Sequence, residues 1–493
     1  MKTTLLLNNK VTKMVRGFLT LYFFALLTLL TSCNDWLDVN PKSQIKEENH
    51  FEREGGFKDQ LTGIYTKMTT KDMYGLNMGI GFVEVLSHTY DINPNGDWRY
   101  ANDFNYTEKT SESTINNIWS SCYSCIANAN ILLRNIGKAN PNIFTGQNYH
   151  VYRGEALGLR AFLHLELMRL FACAPSMDGN ANGVPYVTEY STEVVPQKSV
   201  NETMQFIISD LLEAHNELAY DTLNTHDYYG TQIYTQDRNR FGYYACCATL
   251  ARAYLWAGDT QNALKYAMKV IEPKENEKET GYNWVHYTNM QQTNRNELDM
   301  AFTTEHLFQL IINDWEDIGN FYFTKNGGTS VLNPSDASTQ AIYEVDLGYG
   351  NDYRYLKGYE QDGEKRYMAK FWYLPGSTYN NMYPIIRMTE AWYIAAECQK
   401  DSNPKESIRL LNEVRENRNL SLFPLSEDLN ATQIQDEIYK EYRKEFIGEG
   451  GQLFFYYKRL NLPEIKGASV RPGKQVYVLP IPNTDKEFGG YTN

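Results

Sequence analysis

The stretch RFGYYACCATLARAYLWAGDTQNALKYAMKVIE, residues 240–272, decides the fold. Its apolar residues recur every three or four positions to about Ala257, the period of a helix with one buried face. Gly258-Asp259 interrupts the pattern as a turn, and a second helix follows through Ile271. Small residues at Ala248, Ala253 and Ala263 allow the two helices to approach closely. The product is a helical hairpin.

This hairpin resembles the tetratricopeptide (TPR) repeat, a unit that buries its apolar face only by stacking on neighbours. RMTEAWYIAAECQKDSNPKESIRLLNEVRENR near the C terminus forms a second hairpin of that kind, although the spacing is too irregular for a consensus array. Other amphipathic helices surround the two. In NNIWSSCYSCIANANILLRNI one face carries Ile118, Cys122, Cys125, Ala129, Leu132 and Ile136, and in EALGLRAFLHLELMRLF it carries Ala156, Leu159, Leu163, Leu167 and Leu170. TMQFIISDLLEAHNELA repeats the pattern. Trp119, Trp256 and Trp392 fall within helical patterns and are expected in the core. The expected fold is mainly α, built on TPR-like hairpins, with little β structure.

From roughly 276 to 385 the periodicity fades and Gly, Asn, Asp and aromatic residues dominate, as in GYNWVHYTN, NDWEDIGNFYF and LGYGNDYRYLKGYEQDGEKRYMAKFWYLPG. A long irregular insertion in a helical scaffold is usually functional or disordered, and this density of rings argues against disorder. The expected organisation is a helical part over 51–275, a loop-rich lobe over 276–385 and a second helical part over 386–493.

At the N terminus, Lys2, Lys10, Lys13 and Arg16 precede an apolar run over residues 18–30, broken only by Thr20 and Thr28. A bilayer-spanning helix needs about 20 residues, whereas the apolar core of a secretory signal needs roughly 7–15. Residues 1–32 therefore read as an export signal and 33–50 as a polar tether. Leu30-Thr31-Ser32-Cys33 resembles the bacterial lipobox, in which the cysteine is lipidated and becomes the first residue. One acyl chain anchors only reversibly, but the two or three carried by bacterial lipoproteins suffice.

Removing the signal takes four cations from a net charge of −13, leaving −17. Nucleic-acid binding rests on Lys and Arg displacing counterions, so an acidic chain without a basic patch excludes that partner. The remaining 461 residues exceed what one compact core usually holds. Tyr outnumbers Phe, 38 to 22, a bias that suits half-wet binding surfaces. The six cysteines after Cys33 lie among Ala, Leu and Ile and are expected as buried small residues. Cys122-Ser-Tyr-Cys125 has CxxC spacing but lacks a second ligand pair for zinc or a βαβ context for redox work.

These pieces in order resemble the SusD/RagB family of bacterial surface lipoproteins. The carriers are the lipobox, CNDWLDVNPKS, Trp119 through Asn130, GEALGLRAFLHLELMRLF followed by GVPYV, IIRMTEAWYIAAEC with LNEVRENR, EYRKEFIGEG, and VLPIP. The sequence departs from the family at Gln452 and Phe455, where an Arg and an Asp are usual, and in its GGYTN ending. The resemblance implies a TPR-like helical body, an irregular lobe carrying the ligand site, and a SusC-like TonB-dependent outer-membrane transporter as partner. It also implies a lipid-anchored, surface-exposed position on the cell outer membrane, with an oligosaccharide as ligand.

Motifs for catalysis are thin: no HExxH, GxSxG or P-loop occurs, and His164-Leu-Glu166 lacks the cysteine pair of a zinc deaminase. Asp314, Glu316, Asp317 and Glu305 leave a glycosidase pair open but are expected as solvated charges. DGNANGVPYVTE fits a calcium-loop pattern with Asp178, Asn180, Asn182, Gly183 and Glu189. DINPNGDW starts the same way from Asp91, Asn93, Asn95 and Gly96, with Asn102 where Glu is required. No cofactor is expected apart from calcium at these loops.

Sugar binding needs rings for the C–H face of a pyranose and polar partners for its hydroxyl rim. GDWRYAND offers Trp98, Arg99, Tyr100, Asn102 and Asp103; NDWED offers Asn313, Asp314 and Trp315; YNWVHY offers Trp284. Each ring can equally pack beneath its own loop. The expected platform is Trp98 with Trp315. The expected function is non-catalytic glycan capture, with peptide or glycopeptide capture, glycoside hydrolysis and a periplasmic scaffold as alternatives.

Overall fold

The 240–272 hairpin forms as the sequence pattern predicts. A helix runs over Tyr243–Ala257, Gly258 turns the chain at φ +83°, and a second helix runs over Thr260–Ile271. Only a glycine takes this left-handed conformation without strain. Asp259 then caps the second helix by accepting from the Asn262 N–H at 3.0 Å. The inward alanines Ala248, Ala253 and Ala263 are all buried.

The computed structural model describes residues 47–221, 238–272 and 282–493. In chain order the longer helices are α1 (Glu54–Met68), α2 (Lys109–Ile136), α3 (Asn148–Phe171), α4 (Val200–Leu218), α5 (Tyr243–Ala257), α6 (Thr260–Ile271), α7 (Trp315–Tyr322), α8 (Asp336–Ile342), α9 (Met388–Gln399), α10 (Pro404–Glu416), α11 (Ala431–Glu445) and α12 (Gln452–Arg459). The strands are β1 (His306–Ile311), β2 (Tyr359–Asp362), β3 (Lys365–Met368) and β4 (Met382–Arg387). Residues Arg53–Asn493 make one compact unit. In Met1–Glu52 the described part is a helical turn, Glu47–His50. The export signal, Cys33 and most of the tether lie outside the described residues. No helix among the described residues is long and apolar enough to cross a membrane.

Helix α3 is the centre of the first helical part. It is buried on nearly every side from Gly154 onward and packs between α2 and α4. The second hairpin, α9 with α10, stacks on the first through α6 against α9. This is the stacking that a single hairpin needs to hide its apolar stripe. The fold is thus mainly helical, with two short antiparallel pairs: β1 with β4, and the β2–β3 hairpin. Five of the six cysteines are buried and Cys398 is half-buried; all six thiols are free. Trp119 and Trp256 are core residues. Trp392 is only half-buried, packed against Trp284 with ring centroids 5.4 Å apart. The rest of its helix is mostly buried, so Trp392 stands on the one partly exposed stripe and the helical pattern overstated its burial.

The lobe is joined to this body by charge. Arg418 bonds Glu305 (2.6 Å) and Glu445 (2.7 Å), and Arg387 bonds Glu445 (2.6 Å) and Glu449 (2.8 Å). Arg354 links Asp352 (2.6 Å), Glu441 (2.9 Å) and Glu445 (2.7 Å). Glu305, expected as a solvated charge, has no exposed surface at all; the arginines on both sides of it make burial tolerable. Burial alone would raise the Glu445 carboxyl, but Arg418, Arg387 and Arg354 hold it well below the ordinary carboxylate value. Glu441 is likewise lowered against its burial, by Arg354, Lys444 and Arg415.

Removing one partner from such a network leaves an uncompensated buried charge. Arg418→Met is expected to destabilise the protein by about 3–5 kcal/mol, read by calorimetry, whereas Arg409→Ala, in an exposed pair with Glu406, should cost about 1 kcal/mol or less. Unfolded Glu441 and Glu445 take up protons near their ordinary value of 4.5, and the folded residues do not. Their stabilisation is therefore fully present above that pH and lost as pH falls below it, a loss that acid denaturation followed by circular dichroism will show.

Candidate functional site

The loop over residues 91–103 is placed by two close approaches. A Cβ on Gly451, which has φ +69°, would lie 2.6 Å from Val83 Cγ1, so the body meets the segment before the loop through bare backbone. Glu84 fixes this contact: its carboxylate accepts from the Gly451 N–H (2.8 Å) and the Thr89 hydroxyl (2.8 Å). Burial pushes Glu84 up to about 7 despite these donors. Further on, Gly96 faces the Thr329 carbonyl so tightly that a Cβ would lie 2.1 Å from its oxygen. Trp98 closes the seam, its indole N–H donating to the Ser330 carbonyl at 3.1 Å and its ring lying 5.8 Å from that of Tyr322.

Where this loop meets the lobe, an open cleft of ≈ 380 Å³ forms. One wall is Asp91 and Asn93, joined by Ser335 and Asp336 from the start of α8; the opposite wall is Lys365, Arg366 and Tyr367 of β3. Gly328, Thr329 and Val331 close one end. Asn333 ties the two walls, since its N–H···O-linked carbonyl holds the Asp91 N–H (3.0 Å) and its side chain bonds the Arg366 carbonyl (2.9 Å) and the Met368 N–H (2.6 Å). The cleft is therefore fixed by one backbone bond and by the Asn333 side chain. Val331, Pro334 and Tyr367 supply the apolar part of the lining; in the neighbouring seam Trp98 and Tyr322 are half-buried.

Of the residues picked from sequence, Trp98 borders this region with one edge in the seam. Arg99 lies over the Tyr100 ring at 4.0 Å and donates to the Gly96 carbonyl, and the Asn102 carbonyl accepts from His88 Nε2 at 2.9 Å. Trp315 requires correction as half of a platform. It is 3% exposed, its N–H donates to the Phe371 carbonyl at 2.9 Å, and Phe371 and Tyr383 enclose its ring. A ring so enclosed has no face for a ligand; Asn313 and Asp314 beside it are exposed. Trp284 lies elsewhere, half-buried between Trp392 and the Arg418 guanidinium.

The loops of calcium pattern carry these bonds. Asp178 accepts from the N–H groups of Asn180 (3.0 Å) and Ala181 (3.1 Å), the Asn182 amide donates to Thr492, Glu189 is exposed, and the next helix begins only at Val200. Asp91 accepts from the Ser335 N–H at 2.6 Å, and Asn93 accepts from the Asn95 N–H. Among the described residues no cluster of three or more His, Cys, Asp and Glu could hold a metal. Lys365, Arg366, Asn333 and Ser335 had no place among the sequence candidates. The one local signal was the Asp-Gly-Glu-Lys turn between two aromatic, strand-like segments.

A stacked-hairpin helical body carrying a cleft on an inserted lobe defines a class of binding protein. The profile of the SusD family matches residues 214–491, and a second profile, described as starch-binding and associating with the outer membrane, matches residues 35–255. The chain belongs to the SusD family. It is 22% identical over 472 residues to the SusD-like protein P25 of Formosa agariphila, covering 85% of each chain. Its fold matches a SusD superfamily protein of Bacteroides thetaiotaomicron (TM-score 0.68, 22% identity, 89% and 98% of the two chains). It likewise matches a SusD-like carbohydrate binding protein of Bacteroides vulgatus (TM-score 0.68, 17% identity, 89% and 97%).

The two tryptophans should respond differently to truncation. Trp315→Ala is expected to cost about 3–5 kcal/mol of stability and so to lower the thermal midpoint strongly. Trp98→Ala should leave the body folded, with a smaller thermal shift and faster amide exchange confined to residues 91–103 and 328–331.

Proposed function

We propose that the protein is a non-catalytic, lipid-anchored glycan-binding protein of the outer-membrane surface, which captures an oligosaccharide in the lobe cleft and passes it to a SusC-like TonB-dependent transporter. The observation that carries this reading is the cleft between Asp91–Asn93 and β3, polar on both walls with Val331, Pro334 and Tyr367 as its apolar lining, in a SusD-family fold. Such a surface suits a sugar, whose hydroxyls need placed polar partners and whose ring faces need an apolar margin. The carbohydrate-binding relative of the same fold supports the ligand class.

The Asp91 carboxylate supports binding without cleavage. A glycosidase needs one carboxyl kept protonated near neutrality as the proton donor. Although burial would raise Asp91, hydrogen bonds from Ser338 and Ser335 outweigh it and lower its pKa, so Asp91 is unsuited to that role. Anchoring would come from lipid on Cys33, and transfer from docking over the transporter mouth.

Thr329→Trp, at an exposed end of the cleft, should abolish retardation of the mature protein in polysaccharide-containing gels while leaving its thermal midpoint unchanged. Unchanged retardation would remove the cleft from the function. Cys33→Ser should move the protein from the membrane to the soluble fraction of cells, and a fully membrane-bound variant would overturn the anchor.

A further inference from the structure

The charges of the cleft are divided between its walls, and the two sides are not equally satisfied. On one side, the Asp91 carboxylate already accepts from the Ser335 N–H at 2.6 Å, and Asp336 lies in the first turn of α8, where a negative charge is favoured. On the other side stand two adjacent cations, Lys365 and Arg366, with no carboxylate within ion-pair distance among the described residues. Arg366 is held by neutral groups alone: the Tyr355 hydroxyl at 3.2 Å, the Tyr359 carbonyl at 3.5 Å, and the faces of both rings. The hairpin's own acid, Asp362, is taken by Lys325 through its ammonium (2.9 Å) and its backbone N–H (3.2 Å). Glu364, in the turn, does not line the cleft.

Among the described residues the buried guanidiniums are matched to carboxylates, as at Arg160, Arg252 and Arg354, whereas half-buried Arg99 and Arg443, like Arg366, rest on rings and neutral groups. What sets Lys365 and Arg366 apart is their place: two neighbouring cations without carboxylate partners both line one open cleft, where an anion from outside can reach them. A mobile anion alone would be poorly served by the facing Asp91 and Asn93. A sugar bearing an acid group fits both walls: its anionic group meets the Lys365 ammonium, in the positive field of the neighbouring Arg366, and its ring hydroxyls donate to the Asp91 carboxylate and the Asn93 side-chain oxygen.

Building on the glycan-capture reading, we infer that the cleft selects an anionic saccharide, one carrying carboxylate or sulfate, with Lys365 as the charge contact and Arg366 adding to the positive field of the wall. Lys365 is exposed and free to adjust, while the Arg366 guanidinium, leaving the strand on its other face, is held by Tyr355 and Tyr359.

The test compares the mature protein with Lys365→Glu and Thr329→Trp in gels containing polygalacturonate (carboxylate), chondroitin sulfate (both groups) or amylose (neutral). Lys365 lies on an exposed hairpin, so its substitution should leave folding intact, checked by thermal midpoint. The expected result is retardation by one or both acidic polymers and not by amylose, weakening with added NaCl. Lys365→Glu should reduce affinity by at least about tenfold, and Thr329→Trp should abolish it. Retardation by amylose alone, lost in Thr329→Trp and kept in Lys365→Glu, would overturn the anionic ligand and leave glycan capture in the cleft standing. Retardation by an acidic polymer that neither substitution alters would place binding outside the cleft and overturn both. Which acidic polymer is retained distinguishes a carboxylate from a sulfate as the recognised group.

Discussion

The rest of the structure depends on a buried ionic network between lobe and helical body. Among the described residues, seven cations (Arg354, Lys370, Arg387, Arg415, Arg418, Lys440 and Lys444) meet seven carboxylates (Glu305, Glu344, Asp352, Glu437, Glu441, Glu445 and Glu449), with Lys440 and Glu437 at the network's outer edge. The balance is a physical necessity, because a net charge at this depth would be far too costly to desolvate. Ion pairs so buried need not make a protein more stable than well-packed apolar residues would. They do fix one arrangement, since any other pairing strands a charge. Here that arrangement brings together the start of β1, the end of β4, the loop after α10, the last turn of α11 and the lobe segment around Arg354.

This constraint reaches the cleft through short paths. Arg354 anchors the lobe just before β2, and Lys370 anchors it just after β3 through Glu449 and the Glu445 carbonyl. The hairpin between them, which supplies Lys365 and Arg366, is held at both ends by the network. The opposite wall is held by a related device: Glu84 grips the N–H of Gly451, two residues beyond Glu449, and Ser87 accepts from the Phe454 N–H at 3.2 Å. The first turn of α12 is thereby capped by the segment that leads into the Asp91 loop. Both walls refer back to the stretch around Glu449, so the cleft exists without ligand.

The helical body was legible in the sequence because a period of three or four positions is a direct image of a buried face. The face read from Ile118 to Ile136 is buried at each position named, and Gly258 marks the turn of the 240–272 hairpin to the residue. The lobe was legible only as a change of texture. Its strands pair over long sequence distances, His306 with Arg387 and Met382 with Ile311, and no local pattern encodes such a register. Charge misled for the same reason. Glu305 looks like any surface acid until Arg387 and Arg418, distant in the chain, surround it. Glu441 and Glu445 stand at i,i+4 and Arg415 and Arg418 at i,i+3, a spacing that solvated helix faces share and that does not by itself reveal a buried network.

Rings in polar loops were the weakest guide to the ligand surface, and the reason is chemical. An indole has a large apolar body and one N–H that must find an acceptor when buried. In a loop-rich lobe lacking regular ladders, backbone carbonyls such as those of Phe371, Ser330 and Phe323 are left unpaired, and they become the acceptors for Trp315, Trp98 and Trp372. The tryptophans thus stitch irregular segments together, a task their environment sets before any ligand arrives. What remains for recognition is the polar lining between the stitched segments, and its composition, two unmatched cations facing hydrogen-bond acceptors, is a feature of the assembled lobe that no single loop displays.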